Sequence, residues 1–205
     1  MALLDSRGLA QLVYEKIRLM LGEAMFTPGE RINKRQLEDL LGVSQTPIND
    51  ALHRLLGEQY LERDGSRGFR VRRFTCKEFS ELFAVRAGTE ALAAWLACQN
   101  ASDEELQKLK EYFADFSPPF GEPEVQQYLH HDIEFHTHVI ELSGNDLLKE
   151  LNERYGYMLK SNVRGLVRNP EETLPEHRAL IDAIASRSAD LARALMQEQI
   201  GRAHV

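Results

Sequence analysis

The chain has 205 residues, 43% of them hydrophobic and 28% charged, with a net charge of -7. That composition supports a folded core and argues against disorder. No apolar run reaches the roughly 18 residues that suggest a membrane helix, and Cys76 and Cys98 are too few for a disulfide framework or a paired-cysteine zinc module. Residues 1–8 lack the basic-then-apolar layout of a secretory leader, so a cytoplasmic location with no membrane partner is expected.

The acidic total hides an uneven distribution. Residues 1–73 carry 12 Lys and Arg against 10 Asp and Glu, whereas residues 74–205 carry 13 against 22. Arg67, Arg70, Arg72 and Arg73 gather near the end of the first stretch. Phosphate contact needs a local basic surface and not a basic chain.

Apolar residues at 9, 12, 13, 17, 20 and 21 give a helical stripe over 9–23, broken by Thr27-Pro28-Gly29. A short helix follows over 34–41, with Leu37, Leu40 and Leu41 facing inward and Gly42 stopping it. Ser44 is placed to cap a third helix that runs to about Gln59, with Pro47 in its first turn, where a missing N–H costs nothing. Residues 60–63, 64–68 and 69–72 read as strand, tight turn and strand, since Phe69 and Val71 alternate with arginines. Helical periods fill the rest, over about 76–99, 102–116, 123–143, 145–168, 172–186 and 188–203, with loops at Ser117–Gly121 and Ser143–Asn145. The predicted fold is therefore mainly α: a winged helix-turn-helix with a β-hairpin wing over 1–74, then an all-α bundle over 75–205.

Two short helices joined through Gly42-Val43-Ser44 and followed by a hairpin form the layout in which the second helix enters a major groove. In this region the sequence resembles the GntR family of bacterial transcription regulators. The matching residues are Pro28 to Ile32, Leu37 to Leu41, Gly42-Val43-Ser44, Thr46-Pro47-Ile48, Ala51-Leu52, Arg54-Leu55 and Arg67-Gly68. The resemblance implies DNA contacts by Arg35, Gln45, Thr46, Asn49, Arg67 and Gly68. For Gly68 turn geometry alone is a sufficient reason, and Arg70 and Arg72 could be no more than the polar side of a strand. Where members of the family read Ser-Arg-Thr-Pro-Val-Arg-Glu, this chain has Ser44-Gln45-Thr46-Pro47-Ile48-Asn49-Asp50. Arg suits guanine edges and phosphates, whereas Asn and Gln suit adenine. An operator with adenine where guanine usually stands is expected, with weaker salt dependence.

In the bundle, Val125, Leu129, Asp132, Phe135, His136, Val139 and Ile140 share one inward face, while His131, Glu134, His138 and Glu141 lie toward solvent. A buried carboxylate needs a partner. His177 falls on a stripe with Leu174, Leu180, Ile181 and Ile184, and Gln199 on one with Leu191 and Leu195. Asp132 and His136 one turn apart, with histidines from other helices, could form a metal site or an internal Asp–His hydrogen bond without metal. Arg86 points inward with Glu90 one turn on, either as an ion pair or as a carboxylate receptor.

Arg86 to Glu90, Asp132 to His136, Ser143-Gly144-Asn145, Glu176-His177 and Ile181 to Ile184 resemble the FCD domain of the fatty-acid-regulator (FadR-type) branch of the GntR family. That resemblance implies a divalent metal, zinc or nickel, on Asp132, His136 and His177, with Gln199 at the position usually held by a fourth histidine. An amide oxygen is a poor ligand for either metal, so the site is weakened, holds an extra water, or binds no metal. The resemblance also implies that Arg86 meets an organic-acid effector. Tyr128, Tyr155 and Asn162 could line the same cavity.

The expected function is a DNA-binding transcription regulator, repressor or activator, working as a homodimer on an inverted repeat and modulated by a small organic acid. It is not expected to be an enzyme. Two rivals stand beside it: a metal-dependent, hydrolase-like enzyme using Asp132, His136 and His177, and a module whose winged helix makes protein contacts.

Overall fold

The structure, a computed structural model, describes residues 2–23, 25–66, 68–162 and 168–202, with the side chains of 2–7, 155 and 157–162 left aside. The chain divides into two units, Met1–Phe74 with Gly156–Arg164, and Thr75–Tyr155 with Gly165–Val205.

The first unit holds α1 (Ala2–Gly22), α2 (Lys34–Leu41), α3 (Gln45–Gly57), β1 (Leu61–Asp64) and β2 (Gly68–Val71). The two strands pair antiparallel with Leu61 opposite Val71 and Asp64 opposite Gly68. Residues 29–32 run along the other side of β2, through Ile32 N–H to Phe69 O at 2.9 Å and Val71 N–H to Glu30 O at 2.8 Å. Asn33 caps α2 by accepting from the Arg35 and Gln36 amides. Gly42 ends it in the left-handed region at φ 65°, a conformation that carries little penalty only without a Cβ. The core combines Val13, Ile17 and Leu21 of α1, Leu37 of α2, Ile48, Leu52 and Leu55 of α3, and Phe69 and Val71 of β2.

Some expected faces are turned. Leu40 is 59% exposed, because an eight-residue helix presents one narrow stripe and Leu37 with Leu41 fills it. Leu9 and Leu12 are also exposed. Ser44 occupies the cap position of α3 without a side-chain hydrogen bond.

The second unit holds α4 (Cys76–Asn100), α5 (Asp103–Lys110), α6 (Glu122–Leu142), α7 (Asp146–Asn162), α8 (Pro170–Ala185) and α9 (Ala189–Arg202). Reciprocal capping boxes, Thr75 with Glu78 and Ser102 with Glu105, start α4 and α5. These satisfy amide groups that the first helical turn leaves open. Helix α4 packs against α6, α8 and α9, and α8 also against α5 and α9. Helix α5 is shorter than its period suggests. Residues 111–116 continue as tight turns, with Tyr112 N–H on Leu109 O and Phe116 N–H on Phe113 O, and these drive Phe113 and Phe116 into the core. On α9 the buried stripe is Ala192, Met196, Gln199 and Ile200, while Leu191 is exposed; the expected phase was one position off, although Gln199 still faces inward.

Glu176 on α8 accepts from Arg168 at 2.7 and 3.0 Å and from Arg202 of α9 at 2.8 Å. Burial alone would raise its pKa, but the two guanidiniums hold it below the ordinary 4.5. A depressed carboxylate stabilises the fold above its unfolded pKa, and that contribution is lost as pH falls through the folded value. Wild type should therefore outlast Glu176→Gln in chemical denaturation at pH 7, with the gap closing progressively below about pH 4.5. In the first unit, Phe69→Ala should cost about 3–5 kcal/mol, whereas Leu40→Ala should stay within about 0.5 kcal/mol; denaturant titration followed by circular dichroism reads both.

Candidate functional site

Helix α3 is held from behind. Its buried Pro47, Ile48, Ala51, Leu52 and Leu55 seat it against the core, and Arg54 fastens its second half to α1. The Arg54 guanidinium lies 3.7 Å over the Tyr14 ring, a cation–π contact, and donates to Gln11 Oε1 at 2.6 Å and Glu58 Oε1 at 3.0 Å. Tyr14 donates to Glu58 Oε2 at 2.6 Å. Burial and the Glu58 charge push the Tyr14 phenol up to about 12, so it remains a donor. The opposite face of α3 is open: Gln45, Thr46, Asp50 and His53 are exposed and Asn49 is half-buried.

Arg35 is exposed on α2. A Cβ built on Gly68 would overlap the Asp64 carbonyl oxygen, so the hairpin requires glycine there for steric reasons. Arg67 lies outside the described residues. The other wing arginines have partners within the unit. Arg70 donates to Asp64 Oδ1 at 3.0 Å, Arg72 to Gln59 Oε1 at 2.7 Å and Arg73 to the Pro28 carbonyl at 3.1 Å. The basic cluster seen in the sequence therefore serves the hairpin as well as the surface.

In the second unit, one liganding atom each from Asp132, His136 and His177 falls within 4.8 Å of the others. His177 is fully buried and lies parallel to the Phe113 ring, with centroids 4.7 Å apart. Its Nδ1 is 2.7 Å from the Tyr128 hydroxyl, which is 2.8 Å from Thr173 Oγ1. The Thr173 hydroxyl donates to the Asn169 carbonyl at 3.3 Å, and a carbonyl can only accept. Reading protons back along the chain, Tyr128 donates to Thr173, and His177 Nδ1–H donates to Tyr128. Burial pushes the His177 pKa well below its ordinary 6.5, helped by the charges of His136 and Arg168, so the ring is neutral and holds one proton. Nε2 is then a bare lone pair.

That lone pair faces Asp132 Oδ1 at 3.2 Å, and His177 Nε2 has no hydrogen-bond partner among the described residues. Two electron-rich atoms face each other and need a cation between them, either a proton or a metal. Burial raises the Asp132 carboxyl pKa, against the lowering charges of His136 and Arg86, so a proton there is one solution. The donor set of two imidazoles and a carboxylate suits zinc with an open position, and the side chains present fit such an ion.

Glu90 completes the surroundings. Its Oε1 accepts from Arg86 Nε at 2.5 Å, and its Oε2 approaches His136 Nδ1 at 2.7 Å. This second contact is a close charge approach without hydrogen-bond alignment, since both atoms lack a hydrogen-bond partner. Burial would raise the Glu90 pKa, but Arg86 and His136 outweigh it and hold it down to about 2. Arg86 is thus engaged through Nε, while no hydrogen bond to its two terminal nitrogens appears among the described residues. Gln199 is buried on α9 with neither amide atom partnered.

Family models match both units: "Bacterial regulatory proteins, gntR family" over residues 9–71 and "FCD domain" over residues 81–202. The chain belongs to the GntR family of transcription regulators. Among curated relatives, the HTH-type transcriptional regulator YdhC of Bacillus subtilis (strain 168) is 28% identical over 88% of this chain and 82% of its own length. The Nta operon transcriptional regulator of Aminobacter aminovorans is 37% identical over 60% of this chain and 58% of its own. In fold, Escherichia coli McbR/YncC superposes with a TM-score of 0.73 at 20% identity, covering 95% of this chain and 94% of that one. The chain is accordingly a DNA-binding regulator with an FCD domain, and not a hydrolase. No helix of the described residues is long and apolar enough to cross a membrane.

Sequence patterning brought Asp132, His136 and His177 together but gave them different partners. Among the described residues no hydrogen bond joins Asp132 to His136; the cross-helix approaches are Asp132 to His177 and His136 to Glu90. The inward stripe carried no information on this pairing, which depends on how α4, α6 and α8 cross. His131 and His138, expected in solvent, are partly covered by Tyr112, whose ring stacks on His138 at 5.9 Å. Tyr155 and Asn162 have side chains outside the described residues. Tyr128 was expected only as a lining residue of the cavity and Thr173 not at all, yet the two set the His177 proton; 45 residues part them, and only their burial marks them.

Removing the Tyr128 hydroxyl leaves His177 Nδ1 with a proton and no acceptor in a dry site. Tyr128→Phe should therefore destabilise the second unit by about 1–3 kcal/mol despite its conservative shape, measured by urea unfolding of metal-free protein. Stability equal to wild type would refute the proton chain.

Proposed function

We propose that this regulator reads its operator through the exposed face of α3, and that a divalent metal held by Asp132, His136 and His177 helps its second unit capture a small organic acid. The observation that carries the metal is the buried Nε2 of His177, 3.2 Å from the Asp132 carboxylate and without a hydrogen-bond partner among the described residues. The division of labour follows the domain boundary near Phe74: residues 1–74 bind DNA and residues 75–205 bind ligand and dimerise.

On the DNA side, Gln45, Thr46 and Asn49 are the candidates for base edges, with Arg35, Arg67 and Gly68 at the backbone. Direct readout by a helix in the major groove requires such an outward face. A two-fold homodimer on an inverted repeat follows from helix-turn-helix geometry.

On the ligand side, zinc or nickel would supply a Lewis-acid anchor for a carboxylate. Tyr128 holds the His177 ring so that Nε2 points at the site, a role outer partners of metal-bound histidines commonly have. Glu90 sets its negative charge 2.7 Å from His136 Nδ1 without a hydrogen bond. The terminal nitrogens of Arg86 offer a fork for an organic carboxylate, because Glu90 occupies Nε alone. Gln199 stands at the fourth position, where its amide would leave the coordination to water or to the effector. A ligand that binds one arrangement of the protein better than another shifts operator occupancy; equal affinity would shift nothing.

Metal analysis of protein purified without a histidine tag should find about one zinc or nickel per chain, and Asp132→Ala should lose it, with affinity down about 10–100-fold or more. Unchanged metal content in Asp132→Ala would refute the site. In gel shifts against DNA upstream of the chain's own gene, wild type should give a retarded band that candidate organic acids alter. Arg86→Ala should bind the same DNA but lose the response.

A further inference from the structure

Gln45 is the first residue of α3 and is exposed, yet its side chain is not free to turn. Its Nε2 donates to Glu38 Oε2 on α2 at 3.0 Å. We infer that Glu38 sets the amide of Gln45 so that it reads adenine and rejects guanine, which makes Glu38 a positioning residue for operator specificity. The inference rests on the assignment of α3 as the base-reading helix.

A glutamine amide has two N–H donors and one carbonyl acceptor. Guanine shows the major groove two acceptors, N7 and O6, whereas adenine shows one acceptor, N7, beside one donor, the N6 amine. An unrestrained glutamine can offer both N–H groups to guanine or one N–H and its oxygen to adenine. Once Glu38 takes one N–H, a single donor and the Oε1 acceptor remain. That pair matches adenine alone among the four bases, since cytosine offers only its N4 donor and thymine only O4 with a methyl group. Rotating the amide by half a turn would set Oε1 against the Glu38 carboxylate, two acceptors in contact, so the orientation holds.

Glu38 is itself well placed to hold still. It is half-buried, and its backbone carbonyl accepts from the Gly42 amide at 2.9 Å. This hydrogen bond closes the end of α2, and three residues of chain then lead to Gln45. Donor and acceptor thus sit either side of the short turn that defines the motif. Asn49 lies one turn beyond Gln45 on the same open face and has no corresponding carboxylate contact among those described.

Selection of binding sites from random duplex DNA, with full-length wild type, Glu38→Ala, Glu38→Gln and Gln45→Ala, tests the inference. Wild type should enrich one adenine column per half-site, favoured over guanine by a factor within about 5- to 150-fold. Gln45→Ala should erase that column alone. Glu38→Ala should let guanine rise toward parity there while other columns stay unchanged. Glu38→Gln keeps an acceptor oxygen for the Gln45 amide and should keep the adenine. Thermal melts of the variants at these surface positions should match wild type, so that a lost column reflects readout. A column unchanged in Glu38→Ala, or lost equally in Glu38→Gln, would overturn the role of Glu38 while leaving the DNA-reading helix intact. A wild type that enriches no sequence at all would overturn both.

Discussion

The single proton of a neutral His177 ring can face the Tyr128 hydroxyl at 2.7 Å or Asp132 Oδ1 at 3.2 Å, and the helices around it settle which. His177 lies with no exposed surface against the ring of Phe113, where a charged imidazole would be strongly disfavoured by desolvation. A neutral ring must choose a tautomer. The file of hydroxyls from Tyr128 to Thr173 to the Asn169 carbonyl makes the choice, because its last member cannot donate. The consequence appears on the far side of the ring, where a lone pair meets the Asp132 carboxylate.

Two carboxylates near this point, Glu90 buried and Asp132 half-buried, behave in opposite ways for identifiable reasons. Glu90 has Arg86 on one oxygen and His136 close to the other, and these hold it ionised against its burial. Among the described residues no Lys or Arg is bonded to Asp132; the charges of His136 and Arg86 act at a distance while burial raises its pKa. One carboxylate is therefore a fixed negative charge beside Arg86 and His136, and the other keeps an affinity for a proton. Under the proposed function, the fixed charge on α4 serves structure and the exchangeable one on α6 serves ligand capture.

Much of this was legible in the sequence, and the boundary of legibility is physical. Capping residues, Gly42 and the alternation of Phe69 with Val71 located the elements of the first unit, because turn chemistry and period are local properties. The inward placement of Asp132, His136 and His177 followed from helical period for the same reason. Period does not specify rotation to within one residue, which is why Leu40 and Leu191 emerged exposed. Nor does it specify which buried polar atoms face each other across a crossing. The His136–Glu90 approach and the Tyr128–Thr173–His177 file depend on helices packed from distant parts of the chain, so they became visible only with coordinates.

The departure from the family pattern at position 45 has the same logic as the buried site. An arginine presents donors only and stays charged, so its preference for guanine or phosphate needs no neighbour to define it. A glutamine presents donor and acceptor together, as a neutral histidine does, and each is an ambiguous reader until something orders its protons. His177 is ordered by Tyr128, and Gln45 by Glu38. Exchanging arginine for glutamine also removes a cation from the DNA face, which lowers the number of counterions released on binding. Affinity for any duplex then falls, and a larger share of what remains has to come from matched hydrogen bonds. A carboxylate next to the side chain proposed to read bases would repel phosphates, and on those terms that repulsion is offset by a sharper match.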